Sequence, residues 1–231
     1  MRTNRRWLRW LGICALSVVL VIGAIWLTFQ HRPGWYRPAA ADEPTIQRAQ
    51  TESAALADET SRQIVERKDF EIRLTDRMIN DWLAAMPVLW PEAREWMPPG
   101  VRDPAVGFDD GEMRVGVFVE REGWRVIANA SVAAEVSPDK STINLMLRSV
   151  RGGSLPMPQG VVEALWERVV SGVRRGRIDG LHIAGPEGDA NESAHELAIR
   201  NRFVWPNGER PFRITRFDAQ NGVLTIGMEP L

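Results

Sequence analysis

Residues 10–29 pass without one charged side chain. As a helix, twenty residues reach about 30 Å, the depth of a bilayer's hydrocarbon core. Arg2, Arg5, Arg6 and Arg9 precede the run, and His31, Arg32 and Arg37 follow it. A cleaved secretory signal has a shorter apolar region, about 7–15 residues, ending at a small-x-small site. This run instead ends Ile25-Trp26-Leu27-Thr28-Phe29-Gln30, and Ala39-Ala40-Ala41 lies ten residues further on. Cys14 stands too early, behind Ile13, for a lipoprotein site. The run therefore reads as an uncleaved transmembrane anchor, with Trp7, Trp10, Trp26, Trp35 and Tyr36 at its two interfaces. Four Arg and no acid precede it, which orients the N-terminus to the cytoplasm and the rest of the chain outside. In a cell with two membranes that places the domain in the periplasm.

Everything beyond the run has the composition of a water-soluble domain. Past residue 30 there are 25 basic and 30 acidic side chains, a formal charge of −5. That balance argues against a nucleic-acid partner, which needs a basic face. It also argues against adhesion to anionic headgroups by charge alone. The single Cys lies inside the apolar run, so the outer part has no disulfide. The expected organisation is a cytoplasmic tip and anchor over 1–30, a stalk over 31–44 and one extracytoplasmic domain over 45–231.

Within that domain the patterning changes twice. Residues 45–67 read as a half-exposed helix capped by Thr45, with Ile46, Ala49, Leu56, Ile64 and Val65 as its apolar sites. Residues 70–74 alternate as a short strand, and Thr75 caps a helix over 76–85. Pro87, Pro91, Pro98 and Pro99 interrupt the next stretch, with a short helix opening at Pro91. From about residue 104 the period is two. Met113, Val115, Val117 and Val119 alternate with Arg114, Gly116, Phe118 and Glu120. Residues 124–136 and 143–147 continue the pattern, separated by turns at Asp109-Asp110-Gly111, Glu122-Gly123 and Ser137-Pro138-Asp139-Lys140. These are long strands of an antiparallel meander with one apolar and one wetter face. Gly152 to Pro158 reads as an extended breaker. Val161, Val162, Leu165, Trp166, Val169, Val170 and Val173 then recur at helical spacing. Residues 186–193 read as a surface loop. Strands return at 195–205, 211–217 and 223–229, with hairpin turns at Asn207-Gly208 and Asn221-Gly222. Helices, long strands, a helix and further strands make an α+β domain.

No catalytic constellation emerges. His195-Glu196 begins a metalloprotease-like pair, but Ile199 stands where a second His is required. His182 is isolated. Asp109-Asp110-Gly111 is a turn without further spaced oxygen ligands, and Gly172 to Gly176 copies a phosphate loop only in its glycines. There is no nucleophile elbow and no cysteine pair. The expectation is a non-enzyme without metal or other cofactor.

Three places together carry a family resemblance: Leu74-Thr75-Asp76-Arg77-Met78-Ile79-Asn80, the Asp110-Gly111 turn, and Ser149 to Pro158 followed by an amphipathic helix. In these the chain resembles the YpmS-like group of single-pass bacterial membrane proteins. That group resembles the tubular lipid-binding superfamily, which includes bactericidal/permeability-increasing protein. The resemblance covers roughly residues 70–229 and the anchor. It implies a long, highly curved antiparallel sheet wrapped around a long amphipathic helix, an apolar groove for acyl chains, and no catalytic residue.

The expected function is therefore binding or transfer of membrane lipid in an apolar groove. Val117, Val126, Leu145, Leu147, Leu155, Val162, Trp166 and Val169 are the groove candidates. The Pro- and Trp-rich stretch 86–99 is too broken for a core element and too apolar for an ordinary loop, so Met86, Leu89, Trp90, Trp96 and Met97 are candidates for a lid or interface. The rival expectation is a structural or adaptor subunit of a cell-envelope complex, in which the groove is filled and the stretch 86–99 binds a protein partner.

Overall fold

The computed structural model describes residues 4–66, 68–121, 123–174, 196–204 and 211–231, without the side chains of 4–15, 94–96 and 168–174. The chain runs α1 (Asn4–Phe29), α2 (Glu43–Glu66), β1 (Phe70–Thr75), α3 (Asp76–Leu89), a short 3-10 helix (Pro91–Trp96), then β2 (Val101–Asp109), β3 (Glu112–Arg121), β4 (Trp124–Val136) and β5 (Thr142–Gly152). Next along the chain are β6 (Leu155–Pro156), α4 (Gln159–Arg174), β7 (Glu196–Arg200), β8 (Phe203–Val204), β9 (Pro211–Gln220) and β10 (Val223–Pro230).

The fold is mixed α+β. The period-two runs form one large antiparallel sheet, β2-β3-β4-β5, with β6 and β7 end to end along the outer edge of β5. The remaining strands form a separate sheet in the order β1-β10-β9-β8 rather than extending the first. Ile64 of α2 packs with Phe70, Phe212 and Met228 on this second sheet. A second cluster joins the sheets: Val106 and Phe108 of β2 meet Ala219, with Ile79 and Leu83 of α3 beside them.

Two hairpin turns fix that junction. Asp110-Gly111 and Asn221-Gly222 all have positive φ, the geometry a two-residue turn needs to follow strand twist. The turns interlock: Gly111 N–H donates to Ala219 O at 2.8 Å and Gly222 N–H to Phe108 O at 2.7 Å. The Asp76 N–H, opening α3, donates to Gly222 O at 2.9 Å. Thr75 caps α3 by accepting from Met78 N–H at 3.1 Å. Buried Asn80 then acts as a strand substitute on the edge of β2. Its Oδ1 accepts from Val106 N–H at 2.7 Å and its Nδ2 donates to Val106 O at 3.0 Å. An edge strand with unmet backbone groups invites wrong pairing, and Asn80 closes it.

Several expectations are corrected. Asp42, not Thr45, caps α2, accepting from Thr45 N–H at 2.9 Å, and Thr45 itself is buried. Pro87 does not break α3, which continues to Leu89; in the last turn a missing N–H costs only one bond. The Gly152-Gly153 breaker is a tight reversal that pairs β6 back onto β5 through Gly152 and Leu155. The 31–44 stretch is no free stalk, because Tyr36 is only 3 % exposed. A sheet wrapped around a long helix is not shown by the described residues, since Val161 and Leu165 of α4 are 41 % and 42 % exposed. His182, His195, the 186–193 loop and the Asn207-Gly208 turn lie outside the described residues. Among the described residues no helix is long and apolar enough to cross a membrane. The described side chains of α1 begin at Leu16, and its large apolar ones from Leu16 to Leu27 are 41–72 % exposed.

Candidate functional site

Strand register decides which candidates share a surface. Val117 pairs with Ala128, Val119 with Val126, Val132 with Leu147 and Ala134 with Leu145. Because side chains alternate, Val117, Val126, Leu145 and Leu147 stand on one face of the large sheet with Val119, Ala128 and Val132. This is the face that meets α3 and the second sheet at Val106, Phe108, Met113 and Val115. Away from that junction Val117, Val119, Val126, Ala128, Val132 and Leu147 are half-buried, neither closed over nor fully wet. Leu145 borders the closed part through its pairing with buried Leu197. Leu155, Val162 and Trp166 are also half-buried. The side chain of Val169 lies outside the described residues. The structure thus brings four of the eight candidates together on the sheet, with Leu155 at the β5 edge.

The far end of the sheet receives the end of α1. Trp124 opens β4 at the tip of the β3–β4 hairpin, with Trp26 and Phe29 against it at ring-centroid distances of 5.1 and 6.1 Å. Beside it, Ser154 N–H donates to Thr28 O at 3.1 Å and Gly153 N–H to Ile127 O at 2.8 Å. A β-carbon on Gly152 would lie 2.7 Å from the Phe29 ring, and one on Gly153 would collide with the Phe29 carbonyl oxygen. Both glycines are therefore needed for α1 to dock, which explains the pair by packing.

The chain then crosses the opposite face. Trp35 lies where β-carbons on Gly107 and Gly116 would sit, at 3.2 and 2.9 Å. Tyr36 packs with Ala105 and Ile127, and its hydroxyl donates to Asp103 O at 2.5 Å. Burial, then the Asp103 charge, pushes the Tyr36 pKa up to about 12, so the phenol keeps the proton that this bond requires. Residues 33–36 are a strap that fixes the end of α1 to the sheet.

The 86–99 stretch folds onto α3. Met86 and Ala93 are buried, and Leu89 and Met97 are half-buried. Trp90 is 47 % exposed, its ring 5.8 Å from that of Trp82. The Trp96 side chain lies outside the described residues. Among the described residues no three His, Cys, Asp or Glu side chains are grouped to hold a metal.

Sequence reasoning passed over the polar positions on the strap side of the sheet. Arg114, Asn129, Ser131, Ser149 and Arg151 line one cavity there, of about 330 Å³, with Trp35 and Ser154. A second, of about 500 Å³, lies between Arg32, Tyr36, Phe118 and Arg125. The signal was present as the polar half of each alternation, which reads as no more than the wetter face.

The chain matches no known protein-family model, no curated protein and no solved structure.

Proposed function

We propose that this protein is a non-catalytic, membrane-anchored lipid binder of the cell envelope, with α1 as a single transmembrane helix and the domain outside the cytoplasm. The observation that carries the reading is the half-open apolar face of the large sheet, which runs from Val117 and Val126 to Trp124, against the end of α1. In this reading an acyl chain leaves the bilayer beside Trp26 and Phe29 and lies along Val117, Val126 and Leu147. The resemblance to the tubular lipid-binding superfamily implies that the apolar side of α4, at Val162 and Trp166, would cover it. Binding is mainly hydrophobic, at about 0.8 kcal/mol per buried methylene, before the costs of association. The docked strap removes the freedom of a stalk, so the groove mouth stays at the bilayer surface rather than up to about 50 Å away.

The test is lipid extraction from the purified full chain after extensive detergent washing. Truncation at residue 43 is unsuitable, because it removes Trp35 and Tyr36 from the sheet. One phospholipid per chain retained by the wild type and lost in Leu147→Asp supports the reading. A washed chain that is folded and lipid-free contradicts it. One observation favours the adaptor alternative: Val88 and Trp90 are both about half exposed on the α3 side. A lipid-free chain that still binds an envelope protein through Trp90 selects that alternative.

A further inference from the structure

The alternation that lines one face with Val115, Val117, Ala128 and Ala130 places a polar patch behind it. Arg114 pairs across to Ser131 and Ser131 to Ser149, while Gly116 pairs to Asn129 and Asn129 to Arg151. These six positions lie side by side across the three neighbouring strands β3, β4 and β5. The side chains of five of them, Arg114, Asn129, Ser131, Ser149 and Arg151, form the floor of the cavity of about 330 Å³, at the small end of the usual range for ligand sites. Gly116 is spared a side chain because Trp35 stands over it as a wall. The opposite wall is Gly153-Ser154, the turn hydrogen-bonded to the end of α1.

The chemistry of this floor is that of an oxyanion cradle. The hydroxyls of Ser131 and Ser149 lie 3.0 Å apart, with Ser131 buried, so their mutual bond uses one O–H and leaves the other for a further acceptor. Asn129 is held by its amide, which donates to Gly153 O at 3.0 Å. Arg114 is steadied by Asp110 at 3.1 Å and Asp109 at 3.6 Å. Arg151 is exposed and has no ion pair among the described residues. Glu112, two residues from Arg114 on the same strand face, adds a carboxylate to the rim.

From this juxtaposition we propose that the strap-side cavity binds the zwitterionic phosphodiester headgroup of a membrane lipid, with the phosphate between Arg151 and Arg114 over the serine pair and an ammonium group at Glu112. Guanidinium forks and hydroxyls suit phosphate oxygens, and Glu112 disfavours a headgroup that is only anionic. The membrane source rests on reading α1 as an anchor, because its docked end places the Gly153-Ser154 wall beside the headgroup layer. The cradle is a second contact with lipid, separate from the acyl face across the sheet.

The experiment uses the full chain in nanodiscs with equal amounts of phosphatidylethanolamine and phosphatidylglycerol, read by native mass spectrometry of retained lipid. The wild type is expected to enrich phosphatidylethanolamine. Arg151→Ala should lower retention of that lipid about tenfold, the loss expected for one charge-assisted contact, without altering the melting transition. Glu112→Gln should erase the preference while keeping the phosphate contact. Retained lipid that is blind to headgroup and to Arg151→Ala overturns the headgroup site while leaving the acyl-binding reading intact. Loss of all lipid and of membrane association overturns both. Arg151-dependent binding of inorganic phosphate by the detergent-solubilised chain, without headgroup preference in nanodiscs, assigns the cradle to free phosphate and overturns the lipid source.

Discussion

The two ends of the large sheet are finished by different kinds of interaction. At the Asp110-Gly111 end, backbone bonds of 2.7 to 2.9 Å interlock two hairpins and the start of α3. At the Trp124 end, the closest partners are the rings of Trp26 and Phe29, and Trp124 stays 53 % exposed. The first end is specified by direction, since buried backbone groups must be paired. The second is held by shape and left apolar toward its surroundings, an arrangement suited to an interface where rings sit at headgroup depth. Paired backbone groups are concentrated where the fold is closed, and open apolar surface where the proposed ligand enters.

Breaking the closed end should have the larger effect on stability. Asn80→Ala strands both backbone groups of Val106, and about 3 kcal/mol of destabilisation is expected from two buried unpaired groups. Urea unfolding measures it, and a change under about 1 kcal/mol, less than one such group should cost, would show that the edge of β2 is satisfied in another way. Gly153→Ala attacks the open end instead. Its φ of +59° and the collision with Phe29 predict about 2 kcal/mol of local strain. The relief is undocking of α1, so the fluorescence of Trp124 should shift while the closed end melts as before. Equal damage at both ends would erase the distinction between them.

Acid should act on the closed half alone, and less strongly. Glu229 accepts from Arg213 at 2.8 Å and from Lys140 at 2.9 Å, and these bonds hold its pKa down at about 2 against an ordinary 4.5. A depressed carboxyl pKa stabilises the fold fully above the unfolded value and loses that contribution as pH falls through the folded one. Stability should therefore decline from pH 4.5 toward about 2, and Glu229→Gln should make that decline shallower, the hydrogen bonds of Ser137 and Ser141 to Asp139 accounting for a further part of it. An unchanged profile would remove the ion cluster from the account. The smallest change in stability is expected from Trp124→Ser, within about 0.5 kcal/mol as for other exposed sites. Lipid retention should nonetheless fall, which separates the open end's function from its stability.

Much of the architecture was legible because period-two alternation over β3, β4 and β5 leaves few alternatives, and Asp110-Gly111 and Asn221-Gly222 announce their turns by residue type. The second sheet was not legible, because alternation within β9 and β10 does not say which strands they join. The roles of Asn80 and of Gly152-Gly153 were hidden for a similar reason: each is defined by a partner far away in sequence, Val106 in one case and Phe29 in the other. The motif residues that carried the family resemblance are junctions of the fold. Alternation was enough to put Val117, Val126, Leu145 and Leu147 on one face, while the polar cavity behind them went unseen, since a solvated strand face and a cavity floor have the same sequence pattern until a strap such as residues 33–36 is laid across it.

The central claim is that acyl chain occupies the half-open sheet face, beyond the lipid that surrounds any transmembrane helix. Photo-crosslinking with a phospholipid carrying a diazirine along its acyl chain tests it most directly, with labelled peptides of the full chain mapped by mass spectrometry. Label is expected on β3, β4 and β5 at Val117, Val126 and Leu147, in addition to α1. Label confined to α1, with those three strands unmarked, would contradict it.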